Sequence, residues 1–235
     1  MEKRDLLYAG KAKSLYLTDD PNLLICEFRD DTTAFDGEKK ERLANKGRIN
    51  NAISTHIMKR LAEAGVKTHI HAYLSDDETV VKRLTMLPVE CVVRNIAAGS
   101  LCRRLGVAEG LNLENPLFEL FLKNDELHDP MINHEHAILF NWASQEQIDE
   151  MREISLKINQ VMVDLFKEGG LILVDAKYEF GVFEGEIILA DEISPDSCRI
   201  WDEQTNEKLD KDRFRKDLGN VVESYQLIAE RIGAA

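Results

Sequence analysis

Hydrophobic and polar positions change period several times along this chain, and each change predicts an element. Leu6 to Tyr8 and Ser14 to Leu17 read as strands on either side of Gly10-Lys11-Ala12-Lys13, and Leu23 to Phe28 follows the turn Asp19-Asp20-Pro21-Asn22. Asp30 to Gly47 is polar and predicts loop. From Arg48 to Ala64, Ile49, Ile53, Ile57 and Leu61 recur at four-residue steps, which predicts an amphipathic helix stopped by Gly65. Lys67 to Tyr73, Glu78 to Leu84, Val89 to Asn95 and Leu117 to Lys123 predict further strands. Ser100 to Leu105 predicts a short helix with Ser100 as its N-cap. Asp125 to Trp142 shows no period and predicts irregular chain. Ser144 and Gln147 form a capping box before a long helix striped by Ile148, Met151, Ile154, Ile158, Val161, Leu165 and Phe166, which ends at Gly169-Gly170. A last helix carries Val222, Tyr225, Ile228 and Ile232 on one face. Strands come first and strands mixed with helices follow, so the fold class is α+β.

The stretch Leu171 to Ser197 reads as two strands around Glu184-Gly185, with more charge than a structural hairpin needs. Alternation puts Asp175, Lys177 and Glu179 on one face and Ala176, Tyr178 and Phe180 on the other. A Phe183-Glu184-Gly185 loop pairs Val182 with Glu186, sets Asp191 opposite Lys177 and leaves it one diagonal step from Glu179. A two-residue turn would send Asp191 to the other face. Two carboxylates and a lysine on one sheet face suit a Mg²⁺–phosphate site, since Mg²⁺ takes hard oxygen ligands and lysine neutralises a phosphoryl group. Opposite charges pairing across exposed strands would give only modest stabilisation. The acids interrupt apolar strands at matched positions, which favours a site.

Other candidates are weaker alone. Gly10 allows close backbone approach to phosphates and Lys11 or Lys13 supplies charge, although no Walker A pattern is present. The connector Lys82-Arg83-Leu84 offers backbone groups that suit an adenine edge. Arg94 before the helix start at Ser100 reads either as an anion site or as an ordinary cap beside an exposed arginine. His69, His71, His128, His134 and His136 have no supporting zinc-ligand pattern. The length of 235 residues allows one large domain or two closely packed lobes, and a net charge of −13 argues against nucleic acid or anionic membrane as partner. Phosphorylated small molecules need only a local basic pocket. No run predicts a membrane span or signal peptide, and four cysteines without CxxC predict reduced thiols in the cytoplasm.

Two segments carry a resemblance. Met86-Leu87-Pro88-Val89-Glu90-Cys91-Val92-Val93-Arg94-Asn95-Ile96-Ala97-Ala98-Gly99-Ser100 resembles the first signature of the SAICAR synthetase family, and Leu173-Val174-Asp175-Ala176-Lys177-Tyr178-Glu179-Phe180-Gly181 resembles the second. Tyr178 replaces the usual aliphatic or Phe side chain. Gly10 to Lys13, Phe121 to Asp125 and Asp191 to Asp196 also look like family segments. The resemblance implies a two-lobed kinase-like and ATP-grasp-like fold, with a β-rich ATP-binding lobe over residues 1–84 and a larger α+β lobe over 85–235. It implies a ligase of purine biosynthesis that joins the carboxylate of CAIR to the amine of L-aspartate with Mg-ATP, through an acyl phosphate.

The same resemblance implies residue roles. Lys11, Ala12 and Lys13 meet the ATP phosphates, Lys82 and Leu84 offer backbone groups to adenine, and Lys123 reaches the ribose. Glu179 and Asp191 hold Mg²⁺. Arg94, Gly99, Ser100 and Arg199 bind the CAIR phosphate, and Arg215 contacts an anionic substrate. Asp36, Asp175 and Lys177 line the reacting centre, with Lys177 stabilising charge on the transferred phosphoryl group. The base for the aspartate amine stays open between Asp175, Asp36 and the substrate itself. A cytoplasmic homodimer, joined through the C-terminal helices, completes the expectation. A small-molecule kinase and a non-catalytic nucleotide-binding protein are the rival readings.

Overall fold

The computed structural model describes residues 1–34 and 38–235. Strands β1 (Leu6–Ala9), β2 (Lys13–Leu17) and β3 (Leu23–Phe28) form a meander, as the alternating pattern predicts. The hairpin β4 (Asp31–Ala34) and β5 (Lys39–Arg42) and the helix α1 (Lys46–Glu63) intervene before β6 (Ile70–Tyr73) and β7 (Glu78–Lys82) complete a first sheet ordered β1-β2-β3-β7-β6. The second sheet takes β8 (Thr85–Ile96), β9 (Asn112–Leu122), β10 (Met131–Ile132), β11 (Leu171–Phe183), β12 (Glu186–Ala190) and β13 (Cys198–Asp202). Its spine is β11. One edge of β11 pairs with β8, while the other pairs with β13 along its first half and with β12 along its second.

Helices α2 (Ser100–Leu105), α3 (His134–Leu139), α4 (Gln145–Glu168), α5 (Asp212–Arg215) and α6 (Val221–Arg231) surround this sheet. The capping box of α4 forms as predicted, with Gln147 N donating to Ser144 Oγ at 3.2 Å and Ser144 N donating to Gln147 Oε1 at 3.0 Å. Its apolar stripe buries Ile148, Met151, Ile158, Leu165 and Phe166 against β11. Each such side chain contributes about 1.5–3 kcal/mol by leaving water. The buried face of α1 joins the same core and packs against α4 and α6, so this helix fastens the first sheet to the second.

Five expectations change. The polar segment from Asp30 to Gly47, expected as loop, carries β4 and β5, paired antiparallel with Asp31 opposite Arg42 and Thr33 opposite Lys40. Helix α1 begins two residues earlier than the periodicity indicates, after Asn45 in the left-handed region at φ 70°. The cap of α2 is Gly99 and not Ser100, whose hydroxyl instead accepts from Arg94 Nη2 at 3.1 Å. Residues 125–142 contain a 3-10 turn, β10 and α3, because Asn124 and Asn133 side chains cap turns too short to show an apolar period. The β11–β12 loop has two residues, not three. Phe183 pairs with Glu186, and Glu184 (φ 53°) and Gly185 (φ 84°) both take the positive φ of the tight hairpin turn that matches strand twist.

Candidate active site

The two sheets meet along a cleft of ≈ 590 Å³, within the range of small-molecule sites. The seam holds because Thr68 bridges to Leu189 of β12, His69 N donates to Leu189 O at 2.9 Å, and Lys82 N donates to His69 O at 2.7 Å. Leu15, Leu24, Val81, Leu84 and Met86 give the cleft apolar walls suited to a flat base. The Lys82 amide is committed to His69 and the Arg83 amide donates to Asn22 O at 2.8 Å, so in this connector Leu84 has the amide with no backbone acceptor among the described residues. His69 itself is buried, and burial lowers its pKa to about 4, so it is neutral near pH 7.

Nine sequence-predicted residues converge here: Lys11, Ala12, Lys13, Lys82, Leu84, Lys123, Lys177, Glu179 and Asp191. The loop carrying the first three is riveted by Arg29, whose amide donates to Ala12 O at 2.7 Å and whose guanidinium donates to Gly10 O and Ser14 Oγ. Lys11 Nζ lies 2.8 Å from Asp125, and Lys13 pairs with Asp191. Glu179 accepts from both Lys123 and Lys177. The observed register should have turned Asp191 away from Lys177. Asp191 instead leaves the ladder after Ala190 with a left-handed backbone at φ 59°, and its carboxylate reaches the cleft. Burial opposes ionisation of Asp191, but Lys13 and Lys177 outweigh it and hold the carboxyl well below its usual range. Burial likewise disfavours charge on Lys177, yet Glu179, Glu90 and Asp191 raise its pKa well above the ordinary value.

Asp175, Arg94, Gly99, Ser100, Arg199 and Arg215 gather in a second cluster further along the same face of β11. Arg94 donates to Asp175 at 2.6 Å and to Glu119 at 2.7 Å, and both arginine and acids are buried. Arg199 Nη1 donates to Asp175 at 2.9 Å, while its Nε and Arg215 Nη1 both donate to Asp212, at 3.1 and 2.7 Å. Gly99 sits at φ 57°, and a Cβ there would fall 2.3 Å from Arg199 Nη2, so the guanidinium lies directly against its backbone. Asp36 falls outside the described residues.

Several charged residues around the cleft and the arginine cluster were given no role by the sequence reading. Glu90 accepts from Lys177 at 2.7 Å, and its place as the one charge in an apolar run was the available signal. Burial and the nearby Glu179 push its pKa up, against the pull of Lys177. Lys46 and Asp196 form a buried pair at 2.6 Å, and Arg29, Glu119, Asp212 and Lys211 complete the charged framework. Nothing in the spacing marks Lys46, because its partner is remote in sequence.

Among the described residues no three His, Cys, Asp or Glu side chains are arranged to cage a metal by themselves. The donor set fits a shared Mg²⁺ nonetheless. Glu179 and Asp191 are hard carboxylates, and the buried Oε2 of Glu192 beside them has no hydrogen-bond partner among the described residues. Mg²⁺ is commonly held by one or two carboxylates together with phosphate oxygens.

A lysine- and carboxylate-walled cleft between two lobes, beside a cluster of arginines, suits the class of enzymes that use a nucleotide and a phosphorylated substrate. Residues 6–232 match the family described as SAICAR synthetase. The phosphoribosylaminoimidazole-succinocarboxamide synthase of Coxiella burnetii is 67% identical over 229 residues, covering 97% of this chain and 95% of that protein. The crystal structure of the enzyme of that name from Ehrlichia chaffeensis superposes with a TM-score of 0.96 at 42% identity, covering 98% of this chain and 99% of the other. A SAICAR synthetase solved in complex with ADP superposes with a TM-score of 0.95 at 48% identity, covering 98% of each chain. The chain belongs to the SAICAR synthetase family, and its fold is the two-lobed, ATP-grasp-like α+β arrangement of that family.

Proposed function

We infer that this chain forms SAICAR in purine biosynthesis at the expense of ATP, joining the CAIR carboxylate to the amine of L-aspartate and releasing ADP and phosphate. The observation that carries the residue assignment is the alternation along β11. Glu179 and Lys177 face the nucleotide cleft, and Asp175, about 7 Å further along the same face, enters the arginine cluster. One rigid strand thus spaces a γ-phosphoryl site from a substrate-phosphate site.

A carboxylate is a poor acyl donor because oxide is a poor leaving group. In the mechanism we propose, a CAIR carboxylate oxygen attacks the γ-phosphorus and the bond to the β,γ-bridging oxygen breaks, giving ADP and an acyl phosphate. The aspartate nitrogen then attacks the acyl carbon, loses its proton, and inorganic phosphate departs. Lys11 and Lys13 neutralise the ATP phosphates, Lys123 serves the ribose side, and Lys177 stabilises charge on the phosphoryl group in flight. Glu179 and Asp191 would hold Mg²⁺, which when bound neutralises charge on the phosphoryl oxygens. Arg94, Ser100 and Arg199 take the CAIR phosphate. Asp175, with its carboxylate already accepting from both arginines, is a positioning residue for them.

We further propose residues 1–84 as the ATP-binding lobe and 85–235 as the metal and substrate lobe, in a cytoplasmic homodimer. Among the described residues no helix is long and apolar enough to cross a membrane. Light scattering showing a monomer at working concentration would remove the dimer.

Purified protein with Mg-ATP, CAIR and L-aspartate should release ADP and yield the succinocarboxamide ribotide by mass spectrometry, only with all three substrates. A phosphorylated acceptor without amide would mean a kinase. Gly99→Ala tests the phosphate pocket. The new methyl would collide with the Arg199 guanidinium in a backbone conformation that disfavours any side chain. The KM for CAIR should rise roughly 10- to 100-fold while that for ATP stays within about twofold. An unchanged CAIR KM would take Arg199 out of substrate binding.

A further inference from the structure

Asp210 is buried, has no part in the chemistry above, and spends both carboxylate oxygens on backbone. One oxygen accepts from Ile200 N and the other from Asp212 N, each at 2.8 Å. The residues just before it run along β13, with Lys208 bridged to Trp201 and Leu209 N donating to Ile200 O at 2.9 Å. A continuing strand would have bonded the Ile200 amide through a backbone carbonyl. The side chain of Asp210 does so instead, while its backbone turns into α5.

These two bonds close a ring of contacts around Arg199. Ile200 N belongs to the peptide that follows Arg199, and the Asp212 side chain accepts from Arg199 Nε at 3.1 Å. One carboxylate thus fixes both the strand from which Arg199 projects and the turn that carries an acceptor for its guanidinium. The groups facing Asp210 are Arg199 and Cys198 on β13, Asp212 on α5 and Tyr225 on α6. Burial and the Asp212 carboxylate raise its pKa to about 7, against the pull of the two amide bonds and Arg199. Protonation places a hydroxyl hydrogen on an oxygen that meets an N–H, so one of the two bonds is lost.

We propose that Asp210 is a positioning residue for the substrate phosphate: by fastening α5 to β13 it holds Asp212 where the Arg199 guanidinium is oriented to meet that phosphate. This deepens the ligase reading above and rests on its assignment of Arg199. Helix α5 is a single turn, from Asp212 to Arg215, with no side-chain cap of its own at Lys211. Its attachment to β13 next to Arg199 runs through the Asp210 carboxylate. Once that attachment loosens, Arg199 loses the acceptor that orients its Nε and is left with Asp175, which Arg94 also uses. A guanidinium binds phosphate through a fixed planar fork, so a small rotation of that plane weakens the contact.

The test measures the KM for CAIR and for ATP in wild type, Asp210→Asn, Asp212→Asn and the double variant, between about pH 6 and pH 8. At about pH 8, Asp210→Asn should raise the CAIR KM about 5- to 10-fold, the scale of one hydrogen bond, and leave the ATP KM within about twofold. Added to Asp212→Asn, it should change the CAIR KM by less than about twofold, because it acts through Asp212. The gap between Asp210→Asn and wild type should narrow towards about pH 6, as the wild-type carboxyl gains its proton; the CAIR phosphate titrates in both proteins and cancels. An unchanged CAIR KM, an equal rise for ATP, a full multiplicative effect on top of Asp212→Asn, or a gap that does not narrow would each overturn the proposal. Should Asp210→Asn fail to fold, Asp212→Asn decides alone. A CAIR KM raised at about pH 8 and approaching wild type near pH 6 upholds the link, and any other result overturns it. A wild type that makes no SAICAR, or a Gly99→Ala protein with an unchanged CAIR KM, defeats the reading on which this inference rests. A raised CAIR KM in Gly99→Ala beside an unaffected Asp210→Asn defeats this inference alone.

Discussion

Lys177→Met is expected to lower kcat for SAICAR formation by about 10²- to 10³-fold, the scale for removing one preorganised group that stabilises transition-state charge. Methionine keeps an unbranched chain as far as the ε carbon and removes the ammonium group. The lysine stands 2.7 Å from Glu90 and 2.7 Å from Glu179, and those two glutamates are direct cross-strand partners on β8 and β11. Like charges directly opposite repel, so the lysine also has a structural duty. A double variant separates the two effects. Lys177→Met with Glu90→Gln removes the repulsion without restoring a cation, so thermal stability should recover towards wild type while turnover stays low. ADP release and product mass, followed beside thermal unfolding, give both readouts. Wild-type turnover in folded Lys177→Met would refute the catalytic assignment, and recovery of turnover in the double variant would reduce Lys177 to a neutraliser of Glu90.

The same strand shows what was legible beforehand. Strong local periodicity was enough for α4, whose cap, stripe and glycine stop all appear in the sequence. The shared face of Asp175, Lys177 and Glu179 followed from the strand period alone, and the structure then divides these three between two sites. Register was harder, because a glutamate at positive φ in the Glu184-Gly185 turn is an uncommon choice that the sequence does not signal. Asp191 reached the cleft for a reason the pairing argument lacked, a left-handed backbone just past the strand end. Arg94 and Arg199 converge on Asp175 from β8 and β13, a meeting across long separation that no spacing encodes. Their assignment came from resemblance. Lys46, Lys211 and Asp212 had neither periodicity nor motif position to mark them, since their importance lies in what faces them after folding.

Lys46→Met is expected to produce the largest loss of stability. The Lys46 side chain is 0% exposed and lies 2.6 Å from Asp196, which is 4% exposed. Asp196 also accepts from Asn50 Nδ2 at 2.9 Å and Tyr225 OH at 2.7 Å, so one carboxylate ties α1, α6 and the loop after Asp191 together. Removing one partner of a buried pair strands the other charge, at a cost of about 3–5 kcal/mol. For a chain of this size that corresponds to a fall in Tm of roughly 6–20 °C. The sign of the pH dependence follows from Asp196. Burial opposes its ionisation, but Lys211 and Lys46 outweigh burial and lower its folded pKa. A lowered carboxyl pKa stabilises the fold above the ordinary value of about 4 and ceases to do so as pH falls through the folded pKa. Without Lys46 burial gains weight, the pKa of Asp196 rises, and protonation relieves the stranded charge. The gap between variant and wild type should therefore be widest near neutral pH and narrow on acidification towards about pH 4–5. Denaturant titrations at neutral and mildly acidic pH measure both stabilities. A gap that is constant with pH would show that the loss comes from packing, and one below about 1 kcal/mol at neutral pH would show that Asn50 and Tyr225 suffice to hold the charge.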